Sequence, residues 1–218
     1  MSSMPGQFRT KTEMVYDWIK ERILSGDLKQ GEKINIKETS VQFGVSGIPV
    51  REAVGKLQSE GLVEIIPHVG ASVTAYSSHQ IKEINLIRSE LETLALKLAA
   101  DYLNQDLLNN LEAIIKKMDQ ALEEGDIKSF GRLNREFHLS IYRVSPYRFL
   151  YDLIVSLWDR GELRRKAFMQ DPARAKKSQE EHWEMYRALC AGNFEKALEI
   201  FRRQKEETFK FAMSRLNN

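Results

Sequence analysis

The distribution of apolar and polar positions near the N-terminus predicts two short helices followed by a two-stranded hairpin. Gly44 separates the helices, Ser46 offers its hydroxyl as the N-cap of the second helix, and Gly61 suits the left-handed residue beyond its end. The apolar residues of the second helix recur on one face. The helices cover 37–43 and 47–60, and the strands cover 62–66 and 71–75. With a further helix over 10–25, this order predicts a winged helix-turn-helix.

The rest of the chain has helical periodicity and no strand pattern. Prolines and glycines are rare there, and they mark the ends of six predicted helices. Short loops between long helices favour antiparallel neighbours, so the pattern predicts an all-α six-helix antiparallel bundle. The helices cover 78–103, 105–124, 126–144, 147–170, 172–191 and 193–216. The first helix has an apolar stripe at spacings of three and four residues, formed by Ile84, Ile87, Leu91, Leu94 and Leu98.

The predicted fold class is mostly α, with a winged helix-turn-helix domain over 1–76 and a helical bundle over 77–218. The 218 residues are enough for two hydrophobic cores. Cys190 is the only cysteine, so a disulfide within the chain is excluded and a reducing cytoplasm fits. We expect no signal peptide and no membrane span, because no apolar run approaches about 18–20 residues.

One run of the N-terminal domain carries a recognisable motif, GVSGIPVREAVGKLQSEGLVEIIPHVGASV. Its PVREA core, the GL before the wing and the glycine in the wing resemble the DNA-binding domain of the GntR superfamily of bacterial transcription regulators. The upstream run IKERILSGDLKQGEKI resembles the first helix and following turn of the same family, so the resemblance covers about residues 8–76. It implies a winged domain that binds double-stranded DNA.

Three runs of the bundle carry a second resemblance: IRSELETLALKLAA, NREFHLSIY and EHWEMYRALCAGNFEKAL. They resemble the FCD effector domain of the FadR branch of the GntR superfamily, over about residues 78–214. Six helices are similar to its VanR-like subgroup. The resemblance implies a homodimer that binds a palindromic DNA operator and responds to a small organic acid, usually as a repressor.

A recognition helix in the major groove presents its N-terminal residues to base edges and phosphates. Arg51 is the long cation there, and its fork can bond guanine or phosphate bidentately. Lys37 is placed to meet a phosphate, and the wing tip is placed to enter the minor groove. The family usually has an arginine and a threonine where this chain has Gly47 and Ile48, so part of the usual base code is missing. The predicted DNA-binding residues are Lys37, Ser46, Gly47, Ile48, Arg51, His68 and Gly70.

An alternative for the winged domain is a packing module that makes no contact with DNA. Residues 1–76 contain nine lysines and arginines and nine aspartates and glutamates, so bulk charge gives DNA binding no support. We favour DNA binding because residue types at fixed spacing outweigh bulk charge.

Many FCD domains bind a divalent metal through one aspartate and three histidines, and four positions here match that motif. His138 and His182 keep two imidazoles, whereas Asn134 and Gln204 stand where the aspartate and the third histidine are usual. Amides are poor ligands for zinc or nickel, and losing the carboxylate leaves the cation's charge uncompensated. We therefore predict a weak or absent site for zinc or nickel at His138 and His182. The alternative is a pair of hydrogen-bonded core histidines with the amides as partners.

Helical spacing places these four polar residues on apolar faces of three helices, so they should converge on one interior cavity, where they need partners. Arg88 and Arg164 also lie on apolar faces, and arginine suits two-point binding of a carboxylate. The alternative for each arginine is an internal ion pair, for instance between Arg88 and Glu92. The predicted effector pocket comprises Arg88, Asn134, His138, Arg164, His182, Tyr186 and Gln204.

These patterns, together with what the two resemblances imply, predict a cytoplasmic, homodimeric, DNA-binding transcription regulator that senses a small carboxylate. Two alternatives stay open. A metal-dependent helical-bundle enzyme would use His138 and His182, but no carboxylate, cysteine or serine accompanies them at a recognisable catalytic spacing. An effector-independent DNA-binding protein would fill the cavity with its own side chains.

Overall fold

The computed structural model describes residues 9–169 and 171–216, and within them the side chains of 9–161 and 171–211. Over this part of the chain the protein is mostly helical and divides between Ser77 and Ser78 into two units. The N-terminal unit is a winged helix-turn-helix, and the C-terminal unit is helical. None of the described helices is long and apolar enough to cross a membrane.

Local capping sets the helix ends in the N-terminal unit. Its elements are α1 (Lys11–Ser25), β1 (Lys33–Ile34), α2 (Ile36–Phe43), α3 (Gly47–Ser59), β2 (Val63–Ile66) and β3 (Gly70–Val73). Thr10 and Glu13 form a capping box at the start of α1, and Gly26 ends this helix in the left-handed conformation. Asn35 caps α2 by accepting hydrogen bonds from two backbone N–H groups.

The N-cap of α3 differs from the prediction in one respect. Ser46 stands at the N-cap with an extended backbone, but its side chain makes no capping hydrogen bond. The third residue of the helix is Pro49, which has no N–H, so the usual donor to an N-cap hydroxyl is missing. Gly61 follows the end of α3 at a φ of 76°, as predicted.

The wing is a three-stranded antiparallel sheet in the order β1-β3-β2. β2 and β3 form the predicted hairpin, with Ile65 opposite Ala71. β1 pairs with the other edge of β3, and its Lys33 lies opposite Ser72. β1 has no sequence signal, because two residues are too short to show alternation.

Helices α1 and α3 pack against each other, and this packing fixes the direction of α3, the predicted recognition helix. Ile19 of α1 and Leu57 of α3 are fully buried, and each such side chain contributes about 1.5–3 kcal/mol by leaving water. At the end of α3, Glu60 accepts hydrogen bonds from the Tyr16 hydroxyl at 2.6 Å and from Lys20 Nζ at 2.8 Å. The recognition helix is therefore held at its C-terminal end, while its N-terminal end stays exposed.

The described residues of the C-terminal unit form six α-helices and one 3-10 turn. They are α4 (Ser78–Ala99), the turn (Ala100–Tyr102), α5 (Gln105–Glu123), α6 (Ile127–Arg143), α7 (Arg148–Met169), α8 (Pro172–Cys190) and α9 (Phe194–Leu216). Each end lies close to its predicted position except that of α4, which was expected to run to residue 103. Asn104 caps α5 through its side chain, and Asp126 and Asp171 cap α6 and α8.

The buried face of α4 is rotated relative to the predicted apolar stripe and shares only Ile84 with it. Ile87 and Leu94 are 46% and 45% exposed, whereas Arg88 and Glu92 are buried. Apolar periodicity favoured the stripe over this face, because the inward face of α4 carries a charged pair. The buried face of α4 comprises Ile81, Ile84, Arg88, Glu92, Thr93, Ala95, Leu96 and Ala99.

Candidate functional site

The N-terminal end of α3 presents an apolar side chain and a cation. Ile48 is 63% exposed, and Arg51 is exposed one turn later. A Cβ added to Gly47 would lie 3.3 Å from Arg51 Nη1, so the Arg51 guanidinium folds back over the glycine. The missing side chain at position 47 thus leaves room for Arg51 beside the first turn of the helix.

Two further residues predicted to contact DNA lie in the first turn of α2 and at the N-cap of α3. Lys37 is exposed in the first turn of α2, where its backbone N–H donates to Asn35 Oδ1 at 3.0 Å. Ser46, which makes no capping bond, is exposed at the start of α3. An exposed lysine and an exposed hydroxyl are suited to phosphate contacts.

The wing tip has a turn closed by a hydrogen bond from Val69 N–H to Ile66 O at 3.1 Å. His68 occupies this turn with a φ of 63°, which costs a residue other than glycine roughly 1–2 kcal/mol. Gly70 follows with a φ of 110°. Both residues are exposed, and strained backbone of this kind is commonly found at binding surfaces.

The C-terminal unit contains a cavity of about 690 Å³ among α4, α6, α7, α8 and α9. Its wall combines apolar side chains, such as Trp158 and Leu91, with polar and charged ones. A volume of this size is in the range of small-molecule sites. The predicted pocket residues that line the cavity are Arg88, Asn134, His138 and Gln204.

The other predicted pocket residues lie elsewhere. His182 is fully buried directly behind His138. The prediction that Tyr186 belongs to the pocket is corrected, because Tyr186 is not among the described residues that line the cavity. Its ring packs edge-on against Trp183, and a hydrogen bond with Cys190, together with burial, raises the pKa of Tyr186 to about 12. The side chain of Arg164 lies outside the described residues.

Glu92 is the centre of a buried charge cluster beside the cavity. Arg88 Nε forms an ion pair with Glu92 Oε1 at 2.8 Å, and both Lys205 Nζ and the Tyr142 hydroxyl donate hydrogen bonds to Oε2. The ion pair that was the alternative for Arg88 is therefore present. Burial raises the pKa of Glu92, but Lys205 and Arg88 outweigh it and hold this pKa below its ordinary value. Burial and the Glu92 charge raise the pKa of Tyr142 well above its ordinary value, so its hydroxyl stays a donor.

The cluster leaves an excess of positive charge at the cavity, because two cations share one carboxylate. Among the described residues that line the cavity, five are cationic and only Glu90 and Glu206 are anionic. Within the described part of the chain, the Arg88 guanidinium is ion-paired with Glu92 on its Nε side, so its two terminal nitrogens remain as a fork. A nearly buried fork of this kind is suited to a carboxylate.

The two histidines contact each other. His138 Nε2 and His182 Nε2 are 3.2 Å apart, and Gln204 Nε2 lies 3.4 Å from the same nitrogen of His182. One imidazole can donate to the other at this distance. The Phe137 ring meets both imidazoles edge-on, with centroid distances of 5.4 and 5.0 Å. The pair is therefore packed as part of the core on one side and reaches the cavity through His138.

The FCD resemblance implies a bound divalent metal ion. The residues at the four matching positions, Asn134, His138, His182 and Gln204, do not fit zinc or nickel. Over the described residues, no group of three or more histidines, cysteines, aspartates or glutamates is placed to hold a metal. Asn134 and Gln204 lie at the cavity wall and offer neutral amides, which are weak ligands for either ion. Two imidazoles alone are too few strong donors for a tight site.

Several residues that line the cavity were not predicted from the sequence. Lys205 follows Gln204 directly, but its partner Glu92 lies on another helix. Gly161 had one available signal, an isolated glycine inside a helical pattern, which often marks a close approach. Trp158 precedes it by three residues and so lies on the same face of α7. The signal for Arg174, a polar residue between apolar neighbours on α8, was too weak to single it out.

Comparisons with known proteins cover both units. Residues 11–73 match "Bacterial regulatory proteins, gntR family", and residues 83–204 match "FCD domain". The chain is 35% identical to the HTH-type transcriptional regulator McbR of Escherichia coli K12 over 161 residues, which cover 72% of this chain and 73% of McbR. It is 28% identical to the HTH-type transcriptional repressor RspR of the same organism over 145 residues, 66% of this chain and 64% of RspR. The solved structure of E. coli McbR/YncC aligns with a TM-score of 0.81 and 27% identity, over 95% of this chain and 99% of that one.

Proposed function

The chain belongs to the gntR family of bacterial regulatory proteins and carries an FCD domain, and we propose that it is a repressor controlled by a small carboxylate. It is a transcription regulator and not an enzyme. In the proposal, each winged unit contacts one half of a palindromic operator, and a homodimer in the cytoplasm brings two such units together. The relative RspR, which is named a repressor, supports the sign of regulation.

The carboxylate assignment depends on Arg88. Its side chain is only 10% exposed and lines the cavity, and its ion pair with Glu92 is on the Nε side. A carboxylate that bonds both terminal nitrogens would neutralise the excess charge that Arg88 and Lys205 share. One unit of excess charge favours an acid that presents a single carboxylate at this position.

Other residues that line the cavity favour a ligand with hydrogen-bonding groups. Asn134, His138 and Gln204 offer amide and imidazole groups there, and Trp158 offers an apolar surface. A ligand with hydroxyl or amide groups can bond the polar wall while its carbon skeleton packs on the indole. An acid with both features fits the described lining better than a purely aliphatic one.

Exposed apolar residues of α4 support the homodimer. Ile87 and Leu94 expose nearly half of their surface in the single chain, and a second copy packed on this face would remove them from water. A ligand can change operator affinity only if it binds the two arrangements of the dimer with different affinities. Leu94 also lines the cavity, so ligand binding can act on this interface.

The ligand proposal predicts selective binding of acids over their neutral counterparts. Calorimetric titration with D-gluconate, benzoate, acetate and citrate is expected to identify at least one acid that binds, while glucose and benzamide do not. Arg88→Lys should lower the affinity for the acid by about tenfold or more, because lysine keeps the charge but lacks the two terminal guanidinium nitrogens.

Arg202→Lys is the matched control, since Arg202 also lines the cavity but is exposed. It should change the affinity for the acid less than threefold, the effect of an exposed charge being about 0–1 kcal/mol. Equal acid affinity in Arg88→Lys and the wild type would remove Arg88 from the site.

The DNA interface predicts that Arg51→Ala weakens operator binding by about 1–3 kcal/mol, the usual contribution of one bidentate base contact. The operator is first obtained by selection from random DNA with the wild-type protein, and affinity is then measured by gel shift. Arg51 is exposed, so the variant should fold normally.

Lys37→Ala provides the contrast, because a phosphate contact carries no sequence information. It should weaken selected and random DNA alike and reduce the slope of log affinity against log salt by about one. Unchanged operator affinity in Arg51→Ala would place the arginine outside the interface.

A further inference from the structure

Helix α7 has a buried glycine, Gly161, where alanine would favour the helix more. A Cβ added there would lie 3.1 Å from Arg88 Nη1 and 4.0 Å from Ile84 Cγ2. Gly131 in α6 differs, because a Cβ added to it meets nothing within 4 Å among the described residues. The missing side chain at position 161 therefore has one specific neighbour, the Arg88 guanidinium.

Packing of α4 on α7 does not by itself require glycine at this position. The 4.0 Å approach to Ile84 is an ordinary van der Waals distance, which an alanine would tolerate. The 3.1 Å approach to Arg88 is closer than side-chain carbons normally come, so the guanidinium would have to move by a few tenths of an ångström.

The guanidinium is held in place by its other neighbours. Nε is ion-paired with Glu92 Oε1 at 2.8 Å, and Cζ lies 4.6 Å from the centroid of the Trp158 ring. Trp158 and Gly161 are three residues apart in α7 and lie on the same helix face. The indole and the bare backbone of the glycine thus form a floor under the guanidinium at the edge of the cavity.

We infer that Gly161 is a specificity-determining residue, which positions the Arg88 fork for two-point binding of a carboxylate. This inference rests on the proposed function. A bidentate bond needs both terminal nitrogens in the plane of the carboxylate. A methyl group at position 161 displaces Nη1 while the ion pair with Glu92 retains Nε, so the guanidinium tilts and one of the two hydrogen bonds to the ligand is lost.

The test compares Gly161→Ala with Gly131→Ala, each in the wild-type and the Arg88→Lys background. Acetate, benzoate, D-gluconate and citrate are the calorimetric probes. Gly161→Ala is expected to lower the affinity for the acid by about tenfold, because one charge-assisted hydrogen bond is lost. Gly131→Ala is expected to leave this affinity unchanged. In the Arg88→Lys background, where the fork is absent, Gly161→Ala should have no further effect on affinity.

The melting temperature of the ligand-free protein is a second readout that needs no effector. Gly131→Ala should raise it by about 2–4 °C, because alanine favours a helix. Gly161→Ala should raise it less in the wild type, where the methyl group crowds the guanidinium. In Arg88→Lys, where no guanidinium is present, Gly161→Ala should give the full rise.

Three results would decide the matter. Equal acid affinity in Gly161→Ala and the wild type overturns the inference and leaves the proposed ligand class standing. The same rise in melting temperature from Gly161→Ala in both backgrounds overturns the crowding on which the inference depends. If no probe binds the wild type, the proposed ligand class fails and the inference fails with it.

Discussion

Replacement of Glu92 by glutamine is expected to lower the free energy of unfolding of the C-terminal unit by about 3–5 kcal/mol. The Glu92 side chain is fully buried and is the shared partner of Arg88, Lys205 and Tyr142. Glutamine keeps the shape of the side chain but not its charge, so two nearly buried cations lose their counter-charge. Urea unfolding followed by tryptophan fluorescence measures the difference.

The same contribution should be visible in the wild type as the solution is acidified. The pKa of Glu92 lies below its ordinary value of 4.5 in the folded protein, because Lys205 and Arg88 outweigh burial. A carboxyl with a lowered folded-state pKa stabilises the fold above its unfolded-state pKa, and this stabilisation disappears as the pH falls through the folded-state pKa. Glu92→Gln should therefore lose less stability than the wild type below about pH 4.5.

Glu83→Gln is the matched control, because Glu83 is exposed on the same helix. It should change the free energy of unfolding by no more than about 0.5 kcal/mol, as surface substitutions usually do. If Glu92→Gln were as stable as Glu83→Gln and had the same acid profile, the carboxylate would not be what holds the two cations.

A second large effect is expected from the double variant Asn134→Asp, Gln204→His, which should create a tight zinc site. The wild type offers two imidazoles and two amides, whereas the variant offers three imidazoles and a carboxylate at the same positions. Free zinc at roughly 100 to 1,000 times its Kd would stabilise the variant by about 3–4 kcal/mol. This corresponds to a rise of roughly 10 °C in melting temperature.

The metal-free double variant should melt below the wild type, because Asn134→Asp introduces a charged group at a buried position, which costs desolvation free energy. The two single variants are the controls, since each adds only one of the two strong donors. Wild-type protein is expected to contain little zinc or nickel after purification and to respond weakly to added zinc. Stoichiometric metal in the untreated wild type would show that the amides suffice as ligands.

The order of elements and most helix ends were predictable from the sequence. Caps and helix-ending glycines act within a few residues, so Asn104, Asp126 and Gly61 mark their boundaries in any context. The convergence of Asn134, His138 and Gln204 was also predictable, because each polar side chain interrupts an apolar helix face that must point inward. These features depend only on local geometry.

By itself, the sequence determined the two domains, their helices and the residues at the exposed end of the recognition helix. Only the tertiary structure decided the charge at the cavity. Glu92 and Lys205 are 113 residues apart, and they meet because α4 and α9 pack together. Periodicity shows which residues share a helix face, but the face that turns inward depends on the packing of all six helices. On α4 the inward face carries Arg88 and Glu92 and not the predicted apolar stripe. These charges can be buried because they pair with each other and with residues of other helices.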